Sequence, residues 1–259
     1  MRKGLLIVLI VYLLPIGFSV ASYNLLGNEG KGWWETDQHI VYQAPDPAQH
    51  KDAVIQVYAA RAARWRGTIG VHTWIAVKPQ NAASYTRIEV FGFHLRRYGR
   101  TISLNQRSPD SYWFGGTPTL LREIRGGKEV DSMIDRLYTA AENYPYDKQY
   151  RVWPGPNSNT FVAWLGRALP ELRLELPVTA IGKDYLPGGA LFARTPSNTG
   201  IQFSLGGVIG LLVGIEEGVE VNLLGFSAGI DLLPPAIKLP GVGRIGVSDF
   251  KSSSYAAEP

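Results

Sequence analysis

"TIGVHTWIAVKPQNAASYTRIEVFGF" (residues 68–93) decides the fold class. In its first half Val71, Thr73, Ile75 and Val77 alternate with His72, Trp74 and Ala76, the period-2 pattern of a strand. "PQNAAS" is turn chemistry, and "YTRIEVFGF" (85–93) resumes the strand pattern, so the stretch folds as an antiparallel hairpin. That hairpin brings His72 beside residues 89–91. "AVIQVYAA" (53–60) supplies a strand before it, and "RRYGRTISL" (96–104) is expected to continue the meander. Residues 105–118, rich in Ser, Pro, Asp and Gly, are expected to be loop.

Two helices follow. In "KEVDSMIDRLYTAAENYP" (128–145) the residues Val130, Met133, Ile134, Leu137, Tyr138 and Ala141 form one apolar stripe at helical spacing, closed by Pro145. In "PGPNSNTFVAWLGRALP" (154–170) a proline–glycine turn leads through Asn157, Ser158, Asn159 and Thr160 into a helix. Its apolar face is Phe161, Trp164, Leu165, Ala168 and Leu169. The expected fold is α+β: an antiparallel sheet packed on two helices.

Beyond residue 180 charge becomes sparse and glycine dense. "IQFSLGGVIGLLVGI" (201–215) is too short and too glycine-rich for a comfortable membrane helix, and is expected to form buried hairpin strands. "GVEVNLLGF" (218–226) alternates as a strand. The chain therefore divides into a leader (1–22), a linker or entry segment (23–49), an α+β core (50–179) and a Gly-rich β extension with a tail (180–259).

The leader begins with Arg2 and Lys3 and is uncharged from Gly4 to Ala21. It suits a signal peptide or a membrane anchor, and either places the bulk of the chain outside the cytoplasmic membrane. The expected location is the cell envelope, on the periplasmic side or exported. The 259 residues carry a net charge of +4 without a cationic run, so no nucleic-acid partner is expected. With no cysteine and four histidines, disulfides, thiol nucleophiles and Cys-based metal sites are excluded. No metal or cofactor is expected.

One constellation carries chemistry. A serine at a helix N-terminus gains from the unpaired backbone N–H groups and the positive end of the helix dipole, which can also hold an oxyanion. Ser158 has that place, His72 is the candidate base and Glu89 the candidate orienting carboxylate. Asn157, Asn159 and Trp153 are candidate ligand contacts beside it. The plainer reading is that Ser158 caps a helix, that His72 is a half-buried strand histidine and that Glu89 faces solvent.

The order "GVHTWIAVK", a polar residue on the next strand, then "NSNTFVAWL" resembles the circularly permuted papain-like fold of the NlpC-type proteins and lecithin:retinol acyltransferase. There a short Asn-Cys-x-x-Phe motif opens the nucleophile helix. Asn157, Ser158 and Phe161 match it, with serine in the place of cysteine. Through "WPGPNSNTF" and "GVEVNLLGF" the chain is also similar to the bacterial family built on the domain of unknown function numbered 3750. A thiol can be drawn to thiolate by a histidine and a helix end, but a serine needs a true general base. The resemblance therefore implies a non-catalytic or degenerate papain-like, membrane-anchored envelope protein with a peptide, glycan or lipid ligand. The alternative it implies is an envelope hydrolase or acyltransferase acting on amide or ester bonds through Ser158, His72 and Glu89.

Overall fold

The computed structural model describes residues 2–25, 40–248 and 250–255. Part of the expected linker (26–39) lies outside the described residues. The fold is α+β, with two sheets and four α-helices among the described residues.

The first sheet is built from β1 (Ala53–Arg61), β2 (Val71–Lys78), β3 (Thr86–Val90), β4 (Ile102–Asn105), β5 (Thr119–Gly126) and β13 (Lys251–Ser254). They lie in the order β13-β5-β1-β2-β3-β4, antiparallel except that β13 runs parallel to β5. The β2–β3 register pairs Ile75 with Ile88 and Ala76 with Arg87. Both faces of this sheet are covered. On one, Ile55, Val57, Ile75, Val77 and Ile88 pack against α3 (Lys128–Glu142) and α4 (Ser158–Ala168). On the other, Val54, Tyr58, Trp74 and Ala76 form a second core with Tyr85, Phe91 and Trp113.

Two expectations about the first sheet are corrected. Residues 96–104 do not form one strand, because α2 (Gly92–Tyr98) intervenes before β4. Gly99 ends that helix with a left-handed φ of 71°, and Arg96 and Arg97 lie in its last turn, where cations complement the helix dipole. In addition, β5 lies between the loop and α3, a strand the sequence reading omitted. Its Arg122, Glu123 and Arg125 conceal the pattern of a strand, yet Arg122 and Glu123 are buried and hydrogen-bonded.

The extension forms a second sheet of seven strands: β6 (Phe192–Arg194), β7 (Gly200–Leu205), β8 (Ile209–Gly214), β9 (Gly218–Leu223), β10 (Phe226–Leu232), β11 (Pro235–Leu239) and β12 (Gly243–Gly246). All neighbours are sequential and antiparallel. Residues 201–215 are the β7–β8 hairpin, but only one face of it is buried: Gln202, Ser204 and Leu212 point inward while Ile201, Leu211 and Val213 are exposed.

The buried face of the second sheet is polar. Lys238 donates to Glu175, to Glu220 at 3.1 Å and to the Glu217 carbonyl at 2.8 Å, and it pairs with Asp231 at 2.8 Å. Lys183 pairs with Glu220 at 2.6 Å and Asp184 at 3.1 Å, while Asp184 also accepts from Gln202, Asn222 and Ser227. Burial disfavours the Lys183 charge, but Asp184 and Glu220 outweigh it and hold its pKa above the ordinary value. These ion pairs join the second sheet to the segment that follows α4.

At the N-terminus α1 runs through residues 2–25, with a π-helical turn at Leu9–Leu13. Leu6–Leu25 is long and apolar enough to cross a membrane, with a mean hydropathy of 2.2.

Candidate functional site

The N-terminus of α4 is organised by Asn157. Its side chain accepts from the backbone N–H groups of Asn159 and Thr160, and Thr160 Oγ1 accepts in return from the Asn157 N–H, a complete capping box. The cap is therefore Asn157, which corrects the reading of Ser158 as the cap. Asn157 Nδ2 also donates to the carbonyls of Val152 (3.0 Å) and Ile181 (2.9 Å). Gly182, with φ at 99°, lies so close that a Cβ there would overlap the Asn157 amide. Asn159 ties the helix to β2: it accepts from Thr73 Oγ1 at 2.9 Å and donates to the Val71 and Ile181 carbonyls.

Ser158 is the first residue of the helix and is buried. The phenol oxygen of Tyr150 lies beside the Ser158 hydroxyl and backbone N–H. The Tyr150 ring lies against Gly92, where a Cβ would come within 2.7 Å of the ring. Burial raises the Tyr150 pKa, and Arg66 and Ser158 oppose that rise.

Glu89 and His72 meet on the other side of β2. Successive strand residues point to opposite faces, so the Thr73 contact with α4 sends His72 away from that helix. His72 Nε2 lies 3.2 Å from Glu89 Oε2. Glu89 is also held by Arg87 Nη2 at 3.0 Å and by Asn105 Nδ2 at 2.9 Å. Burial pushes the Glu89 pKa up, but Arg87, His72 and Asn105 outweigh it and bring it down to about 2. Burial lowers the His72 pKa, against the pull of Glu89. A neutral His72 beside a carboxylate that can only accept carries its proton on Nε2, which leaves Nδ1 as the basic nitrogen.

Aromatic rings fix this group in place. The His72 ring stacks on Trp113 with centroids 4.0 Å apart, and Phe91 stacks on Trp113 at 5.5 Å. The Arg87 guanidinium lies over Trp74 at 4.3 Å. The plainer reading, Glu89 facing solvent and His72 half-buried, is overturned, since both side chains are buried.

His72 and Ser158 reach one shared cavity of about 490 Å³ from opposite faces of β2. Trp65, Phe93 and Trp153 give its mouth an aromatic rim, each at least half exposed. Trp153 Nε1 donates to the Leu224 carbonyl at 2.8 Å. Asn157 and Asn159 line the cavity as well, though the hydrogen bonds of their amides run within the fold. Among the described residues no three His, Asp or Glu side chains converge to hold a metal ion. Sequence reasoning missed Arg87, Asn105 and Tyr150. Arg87 carried a signal, since it stands two residues before Glu89 and so shares its face; Tyr150 carried none.

Residues 52–185, just over half of the chain, match the family described as "Protein of unknown function (DUF3750)". The chain belongs to the DUF3750 family. The matched region contains the hairpin with His72 and Glu89, the capped helix α4 and the Ile181–Asp184 segment that buttresses it. "WPGPNSNTF" lies inside it and "GVEVNLLGF" beyond it, so this DUF3750 chain carries its second sheet outside the matched region. No curated protein and no solved structure matches the chain.

Proposed function

We propose that this DUF3750 chain is a non-catalytic, degenerate papain-like protein of the cell envelope. It is anchored by α1 on the periplasmic side of the cytoplasmic membrane and binds a largely apolar ligand group in the aromatic cavity. One observation carries this reading: His72 is directed to the face of β2 opposite α4 and is bonded to Glu89. A nucleophile needs its base within hydrogen-bond reach, and here the histidine is engaged by Glu89 on the far face of the strand. Ligand pockets of several hundred cubic ångströms are characteristically apolar with a few fixed polar groups, which describes this cavity.

The test has two arms. An apolar fluorophore, N-phenyl-1-naphthylamine, should bind the full chain and lose affinity on Phe93→Ala or Trp153→Ala. A serine-reactive fluorophosphonate should leave Ser158 unlabelled. Labelling at Ser158 that disappears in His72→Ala would overturn the reading.

A second reading has its own support. The Arg87–Glu89–His72 chain is built as a general base requires, and Tyr150 oxygen sits against the Ser158 N–H, where a substrate carbonyl oxygen would bind. In that reading Ser158 Oγ attacks an amide or ester carbon once the carbonyl has displaced Tyr150. Its proton passes to His72 and then to the leaving group. Ser158→Cys discriminates between the readings. If it alkylates with iodoacetamide faster than an exposed thiol, and His72→Ala removes the advantage, the site is catalytic.

A further inference from the structure

Both peripheral elements of this molecule are inside out. Along β7–β12 the residues turned inward are mostly polar, among them Gln202, Glu220, Asn222, Asp231 and Lys238, all buried, with Leu212 and Ala236 the apolar members. The residues turned outward are apolar: Ile201, Leu211, Val213, Ile230, Ile237 and Ile245, each between 45% and 62% exposed. A sheet that faces water on one side presents the reverse alternation. A contiguous exposed apolar face of this kind marks a surface that something covers.

Helix α1 shows the same inversion. Tyr12, Pro15 and Ser19, spaced along one stripe, are its buried residues, while Leu6, Ile10, Leu13, Leu14 and Phe18 are exposed. That stripe docks on the second sheet. Tyr12 Oη donates to the Val221 carbonyl at 2.8 Å, and Ser19 Oγ donates to the Gly241 carbonyl at 2.8 Å. Ala228 is buried although Ile230 and Leu232, on the same face of β10, are not, and α1 touches β10. The apolar side of the helix thus continues into the outward face of the sheet.

We propose that the outward face of the second sheet is a lipid-contact surface, seated with α1 in the hydrocarbon boundary of a bilayer. The argument for lipid over a protein partner is continuity: the face adjoins a helix long and apolar enough for a membrane, and that helix turns its polar stripe to the protein. The interior strands of the sheet pair on both sides, so their backbone groups are satisfied within the sheet and the face offers side chains alone. The lipid surface therefore holds the protein through two elements, which sets its orientation as well as its attachment.

The chain has no cysteine, so single cysteines report without interference. Leu211→Cys, Val213→Cys, Ile230→Cys and Ile237→Cys replace exposed residues, and Glu129→Cys on α3 is the control. Each full-length variant is labelled with the environment-sensitive fluorophore NBD. It is then reconstituted in vesicles of phosphatidylcholine and phosphatidylglycerol, with and without nitroxide on the acyl chains. The expected result is blue-shifted emission quenched by the nitroxide lipids at the four sheet positions, with Glu129→Cys unaffected. Water-exposed, unquenched labels on vesicle-bound protein would overturn the proposal by leaving α1 as the attachment. Labels shielded from water but unquenched, with shielding lost on dilution, would overturn it in favour of a second copy of the chain.

Discussion

At the start of α4 two neighbouring side chains have unlike tasks. Asn157 accepts two backbone N–H groups and donates to two carbonyls; the Ser158 hydroxyl meets Tyr150. Loss of a cap costs about 0.5–2 kcal/mol, and leaving buried carbonyls unpaired adds about 1–3 kcal/mol. Asn157→Ala should therefore lower unfolding stability by about 2–4 kcal/mol and Ser158→Ala by about 1 kcal/mol. Equal losses in urea titration would contradict this division. The buried pair beneath the cavity sets a pH dependence. His72 has a folded pKa below its ordinary 6.5, so its contribution is complete above pH 6.5 and declines as pH falls from there. Glu89 is lowered from 4.5 to about 2, so its contribution is complete above pH 4.5 and is lost as pH falls toward 2. Both act in the same direction. The Glu89 part is of order 3 kcal/mol, and the acid-induced loss between pH 4.5 and 2 should shrink in Glu89→Gln. An unchanged acid profile in that variant would refute the assignment.

Among the elements, α4 separates two aromatic residues that the sequence placed together in the core. Phe161 is fully buried against the first sheet. Trp164 is half-buried, a correction to that expectation, and its Nε1 donates to the Ala140 carbonyl of α3 at 2.8 Å. Phe161→Ala should cost about 3–5 kcal/mol and Trp164→Ala clearly less, measured by denaturant unfolding. The α+β class and the two long helices were legible because period 2 and period 3.6 are local signals. The meeting of His72 with Glu89 was legible too, since a short turn fixes the register of a hairpin. The separation of Ser158 from His72 was not. It depends on which face of β2 receives α4, and alternation defines two faces without saying which is covered. The strands of the second sheet were legible, but which of its faces is buried was hidden for the same reason. Its alternation is plain in "GVEVNLLGF", but only the distant Lys183, Asp184 and Lys238 show that the polar side turns inward.

Over the whole molecule, buried ion pairs tie the second sheet to the segment that follows α4, and the tail ties it to the first sheet. After β12 the chain returns to the first sheet, where β13 lies beside β5 and Arg122 Nη2 donates to Ser253 Oγ at 2.7 Å. Removing residues 248–259 should leave β5 with an unpaired edge, and exposed edges recruit other strands. The expected outcome is a concentration-dependent dimer or aggregate in light scattering, and a monodisperse truncated chain would show that β13 is dispensable for closing the edge.

The parallel pairing of β13 with β5 also imposes an order in time. A chain emerges from the ribosome, or from a translocation channel, with its N-terminus leading, so β5 appears before the entire second sheet and its neighbour β13 only after it. Throughout that interval the first sheet is assembled on one side and open on the other. A nascent chain that stalls within the second sheet therefore carries the family-matched region with an unpaired strand, the kind of edge that chaperones and proteases can engage. Closure of the first sheet thereby waits on the emergence of β13.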